Sequence, residues 1–515
     1  METLRQLIAV TPKGFLPTIV VGLISLFSWY IRDGKPFSGF KLVGKEPGEW
    51  FDNAALKRWQ DDPLRLIKEG FQATAGRPFQ VITDSGPLIM IPLDLADEIR
   101  NDPRLTFAGF LERQQLTNYP GLDALHLSTK EEIIQETIRK HLTQALGGLT
   151  QRLSDEAAAV LNDCLPAENG DWQRVHFYMT AAQAAARLSA LAFLGDELCH
   201  NSEWIDISIS FTSVALHSEN SLRAWPAILR PFIHHFLPEL WYIKGITKKA
   251  RAIILPELEK RRAARSTSTK PQDSLSWLDD VRGDRDFDIV KGQLFLTFAA
   301  IHTTSSALTA LLYDLINNPK YFDLLREEIA QVLREDGGWK KTSLYKMKLM
   351  DSCMKESQRL NILGHHMMNR RVEAPITLSD GTYLPKGVHL GVPTSHMRDP
   401  EVLGDNPDQF DGHRFLRMRQ QPGQENKWQF VTTSPHFLSF GHGKHACPGR
   451  FFASNEIKII LCHLIMKYDW SYENEPPRSA HEHRFVPDPH TDFCAWVGLK
   501  ARVLEKQLPF VGART

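Results

Sequence analysis

The sequence predicts a mainly α-helical chain with small β-elements and an apolar helix at its N-terminus. Three observations predict it. Apolar residues recur at helical spacing from Lys130 to about Arg262. Asp288 to Asn318 is the longest such pattern and is closed by Pro319. Gly14 to Ile31 (GFLPTIVVGLISLFSWYI) carries no charged side chain over its 18 residues, which just reaches the length of a bilayer-spanning helix.

Composition narrows the function classes. The chain has 515 residues, with 61 Lys and Arg against 61 Asp and Glu, so no global field draws it to nucleic acid. Its six cysteines (Cys164, Cys199, Cys353, Cys447, Cys462, Cys494) form no CxxC or zinc pattern, which argues against a disulfide framework or a structural metal site and fits a reducing compartment.

In the N-terminal run, Trp29 and Tyr30 sit where aromatic rings favour a membrane interface. Arg5 and Lys13 precede the run, whereas Arg32, Lys35, Lys41 and Lys45 follow it, and the heavier positive flank predicts a cytosolic body. A signal peptide is the first rival, although no small-x-small cleavage site follows; a buried core helix is the second. Residues 1–33 are therefore read as a single-pass anchor.

Phe37 to Trp59 reads as linker passing into helix. Phe79–Thr83 and Pro87–Pro92 flank Asp84-Ser85-Gly86 as a β-hairpin. Leu93 to Asn101 reads as a short helix, and Phe107 to Leu127, without clear periodicity, as a long surface loop. Breaks fall at Glu168-Asn169-Gly170 and at Pro226, Pro231 and Pro238. Arg265 to Gln272 (RSTSTKPQ) is a polar linker.

The middle of the 288–318 pattern reads Phe298-Ala299-Ala300-Ile301-His302-Thr303-Thr304-Ser305. Its hydroxyls could simply bond back to the preceding turn. Alternatively, the two alanines let a flat ligand lie against the helix, with His302 and Thr303 facing it. Glu356 and Arg359 are three apart and share a helix face, a common surface pairing when taken alone. Near the C-terminus, Phe437-Leu438-Ser439-Phe440-Gly441-His442-Gly443-Lys444-His445-Ala446-Cys447-Pro448-Gly449-Arg450 puts one cysteine in a glycine-punctuated loop before a helical run. Unpaired N–H groups at a helix start lower a thiol pKa. A lone cysteine is more commonly a buried free thiol.

The spacing Phe440, Gly443, Cys447, Gly449, with His445 two before the cysteine, resembles the haem-binding loop of the cytochrome P450 family. Three further segments resemble that family in the right order: Ala299-Ala300-Ile301-His302-Thr303-Thr304 (oxygen activation), Glu356-x-x-Arg359, and Phe410-Asp411-Gly412-His413-Arg414-Phe415. Departures are His302 where an acid is usual, Ala300 where glycine is common, Gly412 where proline is usual, and no proline soon after Arg359.

The resemblance runs from about residue 34 to 505 and implies one catalytic domain over 34–515, with the cytochrome P450 fold: a large helical domain with small β-sheets. It implies haem b, with Cys447 as axial thiolate, which pushes electron density toward O–O cleavage. Phe440, Gly441 and Gly449 shape the cofactor loop, and His445 and Arg371 are placed as partners of the haem propionates. Arg139 is either a third such partner or an exposed helix charge. Glu356, Arg359 and Arg414 are expected to form a buried charge cluster. Thr303 is expected to bond dioxygen and help deliver protons, with His302 or water as relay; these two are the expected catalytic residues.

The activity implied is that of a monooxygenase using dioxygen and electrons from a separate NADPH-cytochrome P450 reductase, on the endoplasmic reticulum membrane. Lys444, Arg450 and Lys458 are either docking charges for that partner or a solvated basic face. The Ala-Ala-Ile-His-Thr-Thr-Ser run, Trp225-Pro226 and Leu229-Arg230-Pro231 resemble fungal members that oxidise lipophilic polycyclic terpenoids, meroterpenoids or indole-terpenoids in secondary metabolism. Alternatives are desaturation, ring expansion or another oxidative rearrangement, and a non-catalytic haem electron carrier or sensor.

Overall fold

The computed structural model describes residues 19–23, 34–128, 132–165, 172–264, 270–472 and 499–503. Its principal helices are α1 (Thr143–Cys164), α2 (Phe177–Leu194), α3 (Ser202–Arg223), α4 (Pro238–Ala263), α5 (Ile289–Asn317), α6 (Lys320–Asp336), α7 (Lys348–Leu360) and α8 (Arg450–Lys467). Helix α5 fixes the arrangement of the others. The Asp288 carboxylate starts it by accepting from the backbone N–H of Val290 at 3.0 Å and of Lys291 at 3.3 Å. Asn318 and Pro319 end it. Helices α2, α3, α4, α7 and α8 pack against α5, and their apolar faces make one continuous core.

The sheets lie to one side. Strands β1 (Phe79–Thr83), β2 (Gly86–Met90), β3 (Leu105–Thr106), β5 (His366–Val372) and β8 (His389–Pro393) form a five-stranded sheet in the order β1-β2-β8-β5-β3. Strands β6 (Ile376–Thr377) and β7 (Tyr383–Leu384) form a small hairpin, and β4 (Gln173–Val175), β9 (Tyr468–Tyr472) and β10 (Leu499–Val503) a third sheet. A separate core of Ile89, Leu105, Val372, Leu390, Phe415 and Phe437 sits on the five-stranded sheet. The Cys447 loop runs between this core and α8.

Two expectations need correction. Residues 107–127 are not a surface loop: Phe107–Gln114 is helical, and Phe110, Leu111, Leu122 and Leu125 are buried. The helix is only two turns long, too short for its periodicity to register, and Gly109 lets it lie against β5, where a Cβ would come within 2.4 Å of Arg371 Nε. Strand β4 was unforeseen because its three residues carry no alternation and gain their pairing from β10, over 300 residues away.

Of the charge-free run 14–31, only 19–23 falls among the described residues; it is helical and exposes Ile19, Val20, Val21 and Leu23. The anchor otherwise lies outside the described residues, as do 166–171 and 265–269. Among the described residues, the one helix long and apolar enough to cross a membrane is α5, and it is mostly buried as the core helix of the domain.

Candidate haem-thiolate site

Glycine determines the path of the Cys447 loop. Gly441 and Gly443 take φ of +68° and +77°, where L side chains are strained. A Cβ on Gly443 would also stand 2.6 Å from Arg100 Cβ and 2.8 Å from the Arg100 carbonyl. The backbone N–H of Cys447 donates to the Phe440 carbonyl at 2.8 Å, and Asn101 Oδ1 accepts from the Lys444 N–H at 2.7 Å. Gly449 is the N-cap of α8, and a Cβ added there would meet open space rather than another part of the fold. Phe440 is half-buried and packs edge-on against Phe430 at 5.3 Å.

The expected lowering of the Cys447 pKa does not follow from the protein alone. Burial pushes the thiol up and outweighs the backbone N–H groups of Gly449 and Arg450 and the Arg450 charge, which pull it down. A thiolate here calls for a cation facing it.

On α5, Ala299 and Thr303 are exposed and Ala307 half-buried, in a helix whose other faces are buried. They are four apart, so they line one stripe. Thr303 Oγ1 donates back to the Ala299 carbonyl at 2.8 Å, which leaves its lone pairs turned outward. His302 does not share this stripe. Adjacent helical residues point about 100° apart, and its ring is held elsewhere: Nε2 lies 2.8 Å from the Ile209 carbonyl of α3 and Nδ1 2.6 Å from Tyr178 Oη of α2. The carbonyl can only accept, so Nε2 carries the proton and Nδ1 accepts from the tyrosine. Burial lowers the His302 pKa, against the hydrogen bond to Ile209, and so favours the neutral ring. The expectation that both residues face a flat ligand therefore holds for the geometry of Thr303 alone.

The strand alternation of β5 separates the two arginines. Arg371 is committed to Glu112 and Glu373, each at 2.8 Å. Its neighbour Arg370 is buried, its Nη1 donates to the Asn369 carbonyl at 2.8 Å, and its Nε has no partner among the described residues. Burial alone pulls Arg370 down to about 10, with no acid opposing it. His445 lies within its field: burial, then the charges of Arg370 and Lys444, hold the imidazole down at about 4. Of the two arginines, it is Arg370 whose charge bears on His445 and Arg371 that already has acid partners. Arg139 is exposed, yet its Nη2 donates to the Lys444 carbonyl at 2.9 Å, which brings it onto the loop.

A buried guanidinium without an acid calls for an anion. The residues present fit haem b: the Cys447 thiol in its glycine loop suits the iron, the small exposed stripe of α5 leaves room for a flat ring, and Arg370 with His445 suits the propionates. Cys447, Phe440, Gly441, Gly449, His445 and Arg370 would hold the group, with Arg139 at its rim.

Glu356, Arg359 and Arg414 meet in one buried cluster. Arg359 and Glu356 are wholly buried (0% each) and joined at two points, Nε to Oε2 at 2.9 Å and Nη2 to Oε1 at 2.8 Å. Arg414 Nε adds a contact to Oε1 at 3.1 Å. Lys458 is corrected as a docking charge: it is buried, with Nζ 2.7 Å from Asp351 and 2.9 Å from the Leu344 carbonyl. Arg450 is half-buried and donates to the Cys447 carbonyl at 2.7 Å. Of the three, only Lys444 is exposed.

Glu456 is a residue that sequence reasoning missed. It is wholly buried on α8, accepts from Ser189 Oγ at 3.0 Å, and is pushed up to about 8 by burial, against hydrogen bonds from Ser189 and Thr304. An acid inside the apolar run Phe451–Leu464 was the available signal.

The family model described as Cytochrome P450 matches residues 201–494. The chain is 40% identical over 490 residues to cytochrome P450 monooxygenase hepE of Aspergillus oryzae, covering 92% of this chain and 87% of the relative. It is 39% identical over 447 residues to cytochrome P450 monooxygenase calE of Penicillium decumbens, covering 85% and 86%. With cytochrome P450 monooxygenase TRI1 of Fusarium sporotrichioides it shares 35% identity over 470 residues, covering 90% and 85%.

Proposed function

The chain belongs to the cytochrome P450 family of haem-thiolate monooxygenases, and on that premise we propose that it oxidises a lipophilic polycyclic substrate of terpenoid, meroterpenoid or indole-terpenoid type in fungal secondary metabolism. The observation that carries the reading is the stripe Ala299–Thr303–Ala307, the small-residue, open side of the otherwise largely buried α5, which would face the haem held by the Cys447 loop. Small side chains there leave room for a flat, rigid molecule. Bound haem supplies reductive activation of dioxygen, one atom of which enters the substrate while the other leaves as water, with two electrons and two protons consumed.

The protein's own groups then have distinct tasks. Cys447 would ligate the iron, Arg370 would neutralise a propionate, and His445, neutral as held here, would donate a hydrogen bond to one. Thr303 presents a hydroxyl to the reacting face; its proton is held by the Ala299 carbonyl until the hydroxyl turns, and general acid assistance of this kind is worth about a hundred- to ten-thousandfold in rate. Electrons come from NADPH-cytochrome P450 reductase, and exposed Lys444 offers that partner one docking charge.

We place the protein on the endoplasmic reticulum membrane, anchored by residues 1–33 with the catalytic domain in the cytosol. The connection between α3 and α4 and the first turn of α4 support a membrane location: Trp225, Ile228, Phe232 and Phe236 in the connection and Trp241 and Tyr242 in α4 are all exposed, and large exposed apolar patches mark interaction surfaces. The test is co-expression with the reductase and mass spectrometry on polycyclic terpenoid precursors. Thr303→Ala should retain haem and substrate binding while NADPH electrons are diverted to peroxide. NADPH consumption indifferent to every such precursor would overturn the substrate class.

A further inference from the structure

His302 occupies the place where its family usually carries an acid, and its surroundings assign it a different task. Both ring nitrogens are engaged, and with different helices: Nε2–H donates to the Ile209 carbonyl in the middle of α3, and Nδ1 accepts from Tyr178 Oη near the start of α2. The Tyr178 ring lies alongside at 6.2 Å between centroids. A neutral imidazole with one donor and one acceptor is thereby saturated. To pass a proton toward Thr303 it would have to break one of these bonds and swing about 100° round the helix.

We propose that His302 is a positioning residue that latches α3 and α2 onto α5 at the turn carrying Thr303, and that protons reach the site by another route. The proposal rests on the cytochrome P450 reading for its consequence, since α3 runs from the latch to the exposed aromatic connection at Trp225 and so links a lipophilic surface to the reacting face. Nothing else in the turn could replace the latch. Thr303 and Thr304 flank His302, but Thr303 is bonded back to Ala299 and Thr304 faces Glu456 on α8. The role needs a donor that reaches Ile209. A glutamine can place an amide N–H where Nε2 stood, whereas an aspartate offers only acceptors, and a carboxylate facing the Ile209 carbonyl is repelled by it.

The experiment compares His302→Ala, His302→Asp and His302→Gln with Tyr178→Phe in the haem-loaded protein. Its primary readout is amide hydrogen exchange over residues 205–213, supported by the Kd of clotrimazole from spectral titration. One net hydrogen bond corresponds to about a fivefold change in an equilibrium. Exchange in that segment and the clotrimazole Kd should rise about fivefold to tenfold in the alanine and aspartate variants, less in Tyr178→Phe, and stay within about twofold of wild type in His302→Gln. If aspartate preserves protection and coupling while glutamine behaves as alanine, the position is an acid relay and the latch is wrong. Unchanged exchange in His302→Ala also overturns it. Tyr178→Phe leaves α5 untouched and keeps the test open if an α5 variant fails to fold. The family reading is judged separately, by the carbon-monoxide band of the same preparations.

Discussion

Gly412 lies against Cys353 so closely that a Cβ on the glycine would stand 2.6 Å from the cysteine Sγ. The same Cβ would meet the Tyr321 ring at 2.7–2.8 Å. This accounts for the departure from the proline usual at this place in the family. Gly412→Ala should cost about 1–3 kcal/mol through overpacking, and Gly412→Pro more. Thermal unfolding of the haem-loaded variants measures both, and a melting temperature equal to wild type in either would remove the steric explanation.

The two adjacent arginines of β5 should separate cleanly in haem retention. Arg370→Ala removes the buried guanidinium facing His445 and should speed haem transfer to an excess of apomyoglobin. Arg371→Ala breaks pairs with Glu112 and Glu373 at a half-exposed site, where ion pairs contribute about 0–1 kcal/mol, and should leave haem transfer near the wild-type rate. The reverse order would restore Arg371 as the propionate partner.

Several buried histidines make the fold sensitive to acid. Burial holds His463 and His396 at about 4 and His389 at about 3, against an ordinary value of 6.5. Their folded-state pKa values are depressed, so the folded protein keeps them neutral while the unfolded chain takes up protons. Stability from this source is complete above pH 6.5 and declines as the pH falls from 6.5 toward about 4. Urea unfolding at fixed temperature should show this fall, and His389→Gln should make it shallower. A flat profile from pH 7 to 5 would contradict the argument.

Removing residues 1–33 should weaken membrane association without abolishing it, because the aromatic connection between α3 and α4 stays exposed. Adding Trp225→Ser, Phe232→Ser and Phe236→Ser to the deletion should release the protein into the soluble fraction. Complete release by the deletion alone would show that this patch does not touch the membrane.

Much of the fold was legible because long helices repeat their signal. The 29-residue α5 has its cap, its polar notch and its terminating proline in sequence order. The Cys447 loop was legible because positive φ and close approach leave glycine at Gly441 and Gly443. Short elements were not: β4 and the Phe107–Gln114 helix depend on partners distant in sequence. The site residues that shifted share one cause, which is direction. Sequence reading named Arg371 beside His445 and the pair His302 and Thr303, but which side chain lacks an acid partner and which lies on the open stripe depend on strand phase and helix azimuth. A difference of one residue leaves Arg370 rather than Arg371 buried without an acid and turns His302 away from the stripe held by Thr303.

The central claim is that Cys447 is the axial thiolate of a haem iron. The most direct test is the carbon-monoxide difference spectrum of the dithionite-reduced protein, wild type against Cys447→His. The wild type should give the red-shifted band that marks thiolate ligation, and the variant should lose it while still retaining haem. Persistence of that band in Cys447→His, or its absence from haem-loaded wild type, would contradict the assignment.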